Sequence, residues 1–221
     1  MAAYTKQDVI SALADPVLHR ITILFDGLLI NGAGFVMVQN EIIAGNIEVV
    51  QGSSSANAYY HSGDDTLTTQ DGPSPAPYWK KSLLIHECVH ALIDIYKYTT
   101  TGLTNELLCY ITQVAYEIMS DSAYRYSLNT SLPAGSNDAK WNQFWVAIEN
   151  YVRGLGYSFS TTGGITLVQN DTAFKALRTQ INGLNIYQHL TNISNYTSDG
   201  ICHKKYDFGN GISPRLPATC R

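Results

Sequence analysis

Charge is what this sequence has least of. Asp, Glu, Lys and Arg make up 14% of its 221 residues, against roughly 25% in an average soluble protein. Its polar surface therefore has to come from Ser, Thr, Asn and fifteen Tyr. The net charge of −4 has no basic block behind it, because the few Lys and Arg are scattered, and the electrostatic footprint of a nucleic-acid binder is missing. Long apolar runs are missing too. The longest candidate, ITILFDGLLI at 21–30, is broken by Asp26 and falls short of the roughly 18 apolar residues a membrane span needs. The opening residues, MAAYTKQDVISALADP, lack a basic segment followed by an apolar one, so no secretory signal is read there. Internal repeats and low-complexity linkers are also absent. The length suits one domain over 1–221, with a lobe boundary near 128–137 expected on composition alone.

The four cysteines fall into two pairs. Cys88 and Cys109 lie in strongly apolar helical segments and read as buried thiols. Cys202 and Cys220 bracket a tail containing Gly and Pro that a disulfide could close. Such a bond belongs to an oxidising compartment, and on that ground export is favoured over the cytoplasm. Sequons at Asn129, Asn170, Asn192 and Asn195 matter only where glycosylation operates.

Local signals predict an α+β fold, mostly helical, with one small antiparallel sheet ahead of the helix that contains His86, Glu87 and His90. Thr5 caps a helix through Leu13, and Asp15-Pro16 reads as N-cap and N1 of a second helix reaching Ile30. NGAG at 31–34 is a break, and FVMVQNEIIAG fits helix or strand. IEVVQ, NAYYH and TLTTQ are short β-branched or aromatic runs between GSSSA and SGDD, the pattern of a three-stranded antiparallel meander. DGPSPAP at 71–77 ends it. Helices follow from Trp79 to Tyr96 or Tyr98, Thr104 to about Tyr126, Ala139 to Leu155, and in two stretches near 171–193.

The chemistry-bearing segment is LLIHECVHALIDIY, residues 83–96, which contains HExxH. On a helix His86 and His90 lie about 40° apart, one turn above the other, so both imidazoles can reach one ion. Glu87 projects about 60° from His90, placed to take a proton from an attacking water rather than to bind the metal. The rest of the helix is apolar nearly all round, which predicts burial. Buried histidines and acids need partners, and a metal satisfies them together. A catalytic zinc wants a third protein ligand, and the next helix offers Glu106 and Glu117 on one polar stripe with Tyr110 and Gln113. Eleven positions separate them, about 16 Å of helix rise, so only one can bind the same ion. If the first helix ran unbroken to Tyr98, a strict antiparallel hairpin would bring Gln113 or Glu117, not Glu106, level with the histidines.

HECVHALID followed by TNELLCY resembles the thermolysin-type, or gluzincin, metallopeptidases, whose metal helix reads HExxHxxxD and whose next helix carries an Asn-Glu pair. NAYYHSGDDTLTT is similar to that family's edge strand, and the likeness covers about residues 47–120. It implies a zincin-like fold and one Zn2+ per chain, held by His86, His90 and Glu106. It further implies Glu87 as general base, Asp94 orienting a histidine, and Asn57, Ala58 and Tyr59 lining the groove for a peptide or protein substrate. The metal helix would end soon after the Asp. The family stabilises the oxyanion with Tyr or His. Tyr98, Tyr110, Tyr116 and His203 are candidates here, with Tyr110 and His203 preferred. The expected activity is hydrolysis of peptide bonds. Two rivals keep the metal: a non-catalytic zincin-fold module with a structural ion, which a fourth protein ligand such as His61 would favour, and an amidase acting on non-protein peptide.

Overall fold

The computed structural model describes residues 4–52, 58–69, 78–121, 136–155, 165–167, 171–185, 187 and 190. The described residues form an α+β structure, mostly helical, with two small three-stranded sheets. Helix α1 spans Lys6–Leu13. Its start is a capping box: the Thr5 hydroxyl accepts the Asp8 amide at 3.2 Å, and the Asp8 carboxylate accepts the Thr5 amide at 2.8 Å.

The second helix expected from Asp15-Pro16 is replaced by a single 3-10 turn, Leu18–Arg20, and a hairpin. Strands β1 (Thr22–Phe25) and β2 (Leu28–Asn31) pair antiparallel around Asp26-Gly27. Both turn residues have positive φ, 44° and 89°, the conformation of a two-residue turn whose twist matches its strands. Ile23, Phe25, Leu28 and Ile30 face the core, while the paired Leu24 and Leu29 face outward. Period two therefore governs a segment whose density of apolar residues suggests helix. Strand β6 (Ile165–Leu167) adds parallel to β1, giving the order β2-β1-β6.

NGAG is not a break but a helix start. Asn31 caps α2 (Gly32–Ala44) by accepting the Gly34 amide at 2.9 Å, and this resolves FVMVQNEIIAG as helix. Gly45, at φ 80°, closes α2 in a left-handed cap. The next three runs are strands as expected: β3 (Glu48–Gln51), β4 (Ala58–His61) and β5 (Thr66–Thr69). They do not form an antiparallel meander. β4 and β5 make an antiparallel hairpin, but β3 pairs with β5 in parallel, so the order is β3-β5-β4 and β4 is at an edge.

Helix α3 (Tyr78–Ile95) packs against α1, α2, β4 and, most extensively, α4 (Gly102–Ser120). The α3 terminus is well defined. The Tyr98 amide bonds the Ile93 carbonyl, the Lys97 amide bonds that of Asp94, and Lys97 sits at φ 51°. Thr101 then caps α4, which begins two residues ahead of the expected Thr104, by accepting the Thr104 amide at 3.2 Å. Helices α5 (Asn137–Gly154) and α6 (Thr172–Asn182) pack on α4 and on each other. Of the two helical stretches expected near 171–193, only this first is an α-helix among the described residues. No helix among them is long and apolar enough to cross a membrane. Cys88 and Cys109 are buried and free, as read from the sequence. Asn57, His203, Cys202, Cys220 and the four sequon asparagines lie outside the described residues, as does most of the expected lobe boundary.

Candidate metal centre

The α3–α4 hairpin brings the sequence candidates together. Ending α3 at Ile95, just past Asp94, shortens the first arm so that the start of α4 lies level with His90. His86 Nε2 and His90 Nε2 each approach one oxygen of Glu106, Oε2 and Oε1 respectively, at 3.5 Å. The antiparallel register continues upward: Gln113 is level with His86, and Glu117 is level with Ser82, a turn away. Glu117, the alternative third ligand, therefore faces Ser82 and Gln113, and Glu106 faces both imidazoles.

The other ring nitrogens face carbonyl oxygens. His90 Nδ1 lies 2.7 Å from Asn105 Oδ1, and His86 Nδ1 lies 3.1 Å from Gln113 Oε1. A carbonyl only accepts, so each Nδ1 carries a proton and, in the neutral ring, each Nε2 turns a lone pair toward Glu106. Lone pairs and a carboxylate converging at 3.5 Å repel unless a cation lies among them. Two ligands each about 2.1 Å from one tetrahedral zinc stand about 3.4 Å apart. The spacing and the donor set both fit that ion.

Charge balance in the bare site leads the same way. Burial works against a charged His86, but the hydrogen bond and charge of Glu106, with the charge of Glu87, outweigh it and raise its pKa. At His90 burial prevails and the pKa is lowered. Glu106 is pushed up by burial and pulled down further by the two histidines, so it ends below its usual value. A positive charge on His86 is thus opposed by burial and favoured by the carboxylates beside it.

Glu87 is buried beside them and projects toward β4. Its Oε2 accepts the Tyr60 amide at 2.8 Å. Burial raises its pKa to about 7, with the neighbouring Glu106 charge adding to the effect and His86 and the Tyr60 amide opposing it. Tyr60 also reaches back with its side chain: the hydroxyl donates to Asp94 Oδ2 at 2.8 Å and meets Asp65 Oδ1 at 3.1 Å. Asp94 thus engages the strand, while Asn105 and Gln113 hold the histidines. Because the Tyr60 amide points away from β5, off the edge of β4 that no described strand pairs, alternation puts the main chain of Ala58 on that edge and that of Tyr59 toward β5. Ala58 is buried and Tyr59 is exposed.

Of the oxyanion candidates, Tyr110 packs edge-on against His86 with ring centroids 4.4 Å apart. Its hydroxyl is 2.6 Å from that of Tyr187. Tyr98 and Tyr116 are engaged elsewhere, on the Asp26 carbonyl at 3.4 Å and on Asp15 at 2.8 Å. His61 is exposed and paired with Asp64 at 3.1 Å. The thiol of Cys109 is the neighbour sequence reading missed: ligand atoms of His86, His90 and Cys109 lie within 4.8 Å of one another, a group that could hold a metal. Its Sγ is 3.7 Å from Asn105 Oδ1, the same oxygen that faces His90 Nδ1. Asn105 was visible as half of the Asn-Glu pair, Gln113 as part of the α4 stripe and Tyr60 only as a member of the NAYYH strand, whereas Tyr187 had no signal beyond being a tyrosine. Comparison with protein-family models, curated proteins and solved structures finds no match.

Proposed function

We propose that this chain is a zinc-dependent metallopeptidase of zincin-like fold. The observation that supports this best is the convergence of His86 Nε2 and His90 Nε2 on the two oxygens of Glu106, each at 3.5 Å. These three residues would hold the ion. Bound there, zinc supplies a Lewis acid that polarises the scissile carbonyl and makes a water more acidic. Glu87 takes the proton from the attacking water and passes it to the leaving amine. One of its oxygens is pinned by the Tyr60 amide, leaving Oε1 to carry the proton. The open edge of β4 would hold an extended peptide through its main chain, as an added strand. Tyr110 would wall the site behind His86.

The test pairs metal content with cleavage. After dialysis against metal-free buffer and one equivalent of zinc, the wild-type protein is expected to retain about one ion and to cleave members of a peptide library. Glu87→Gln should retain the ion and lose cleavage; cleavage by this variant at the wild-type rate would sink the mechanism. One observation favours a second reading, a non-catalytic module with a structural metal. Cys109 close to both histidines could add a protein ligand and close the site to water. That reading expects zinc without cleavage of any peptide, and weaker retention in Cys109→Ser.

A further inference from the structure

A buried glutamate two hydrogen bonds away from His86 has no part in that mechanism. Ser82, His86, Gln113 and Glu117 form one polar row across the α3–α4 interface, and all four are buried. The Ser82 hydroxyl donates to Glu117 Oε1. Gln113 Nε2 lies 3.4 Å from Glu117 Oε1 and 3.5 Å from Ser82 Oγ, while Gln113 Oε1 faces His86 Nδ1 at 3.1 Å.

We infer that Glu117 is a positioning residue that sets the tautomer of His86 through the Gln113 amide. A Gln side chain has one accepting end and one donating end of nearly the same shape, so its direction is decided by its neighbours. Glu117 Oε1 accepts from both Ser82 and Gln113. Ser82 donates to Glu117, and its oxygen accepts from Gln113. Both groups at the far end of the amide therefore require its NH2, and the carbonyl is turned toward His86. A carbonyl there demands a proton on Nδ1 and leaves Nε2 bare. Reversing the amide would face two acceptors with an oxygen and aim an N–H at Nδ1, which moves the ring proton to Nε2, where it blocks a ligand.

The inference rests on reading His86 as a metal ligand, but its first readout needs no metal. Protein with nitrogen-15-labelled histidine is examined by two-bond nitrogen–proton correlation in metal-free alkaline buffer, where the ring is neutral, with His86 assigned by comparison with His86→Gln. The wild-type ring should carry its proton on Nδ1. In Glu117→Gln the amide is released from its constraint, and the ring should become a mixture or invert. Zinc affinity, measured by chelator competition on folded protein, should fall roughly 10–100-fold. Gln113→Glu/Glu117→Gln moves the carboxylate one step nearer the ring and should restore both the tautomer and the affinity, a rescue that a purely structural role would not give. A wild-type ring protonated on Nε2 overturns the inference without any variant, and so does a Glu117→Gln ring that keeps the wild-type tautomer. The expected tautomer in a protein that binds no zinc would support this inference and count against the metallopeptidase reading, so the two fail separately.

Discussion

Replacing Tyr60 with Phe removes one oxygen and nothing else, and the structure says what that oxygen does. The hydroxyl has one proton and two carboxylates within reach, Asp94 Oδ2 at 2.8 Å and Asp65 Oδ1 at 3.1 Å, both buried. Desolvation and the charges of Asp94 and Asp65 raise the phenol pKa far above its ordinary value, so it stays a donor at any working pH. A buried hydrogen bond to a charged group contributes about 1.5–3 kcal/mol, and the shorter contact with Asp94 takes most of it. For a chain of this size that loss corresponds to roughly 3–12 °C in Tm. Urea denaturation of metal-free Tyr60→Phe should show it, and a cycle with Asp94→Asn should return most of it as coupling between the two residues. Tyr59→Phe, on the exposed neighbour, should stay within about 0.5 kcal/mol of wild type. If Tyr60→Phe does the same, the bridge between β4 and α3 is not an energetic one and the account of how the strand is held fails. The Tyr60 amide bond to Glu87 is untouched by the substitution, so zinc retention should survive it.

Asp15 tests the acid side of stability. Burial pushes its carboxyl up, but the Val17 amide, the Tyr116 hydroxyl and Lys81 together hold it below its usual value. A lowered folded pKa stabilises above the unfolded value of about 3.9 and is lost as the pH falls below it toward the folded value. Asp15→Asn should therefore flatten the decline of stability below about pH 4, at a cost near neutrality of no more than about 1 kcal/mol because the Lys81 bridge is partly open to solvent. Denaturation midpoints that fall in parallel for both proteins would refute this. Lys97→Gly should stabilise by about 0.5–1 kcal/mol, since φ 51° at the end of α3 strains any side chain and suits glycine; a destabilised variant in the same denaturation assay would show that the lysine side chain offsets its backbone strain.

The residues of the candidate centre were legible because one helix face must carry them at fixed spacing. His86, Glu87 and His90 follow from the period of α3, and Glu106 from the pair that opens α4. Glu106 could not be separated from Glu117 by rise alone. What brings Glu106 rather than Glu117 beside the histidines is the turn at Lys97, which ends α3 without glycine or proline and so left no mark in the sequence. The strands β3, β4 and β5 were readable from β-branched runs, but their order was not. Turn chemistry fixes only the neighbouring β4–β5 pair, and the parallel pairing of β3 is set by packing over a distance no local signal spans. In ITILFDGLLI the Asp-Gly turn and the alternation were both present, hidden by outward-facing Leu24 and Leu29 that make the run look uniformly apolar. Tyr187 meets Tyr110 across 77 positions of sequence, where periodicity has nothing to say.

Ser82 to Glu117 is one continuous hairpin of two helices, and it contains every group that touches the two histidines through a hydrogen bond or ion pair described above. Its contacts are close in sequence, and closing the short turn between its arms costs little entropy, so such a hairpin belongs among the fast-forming parts of a chain. A metal captured there would add its binding energy before the rest of the protein has folded. Tyr60, by contrast, arrives on the β4–β5 hairpin, outside this pair of helices. The topology thus favours an order of assembly in which His86, His90 and Glu106 meet within the hairpin first and the strand that holds Glu87 closes over them afterwards.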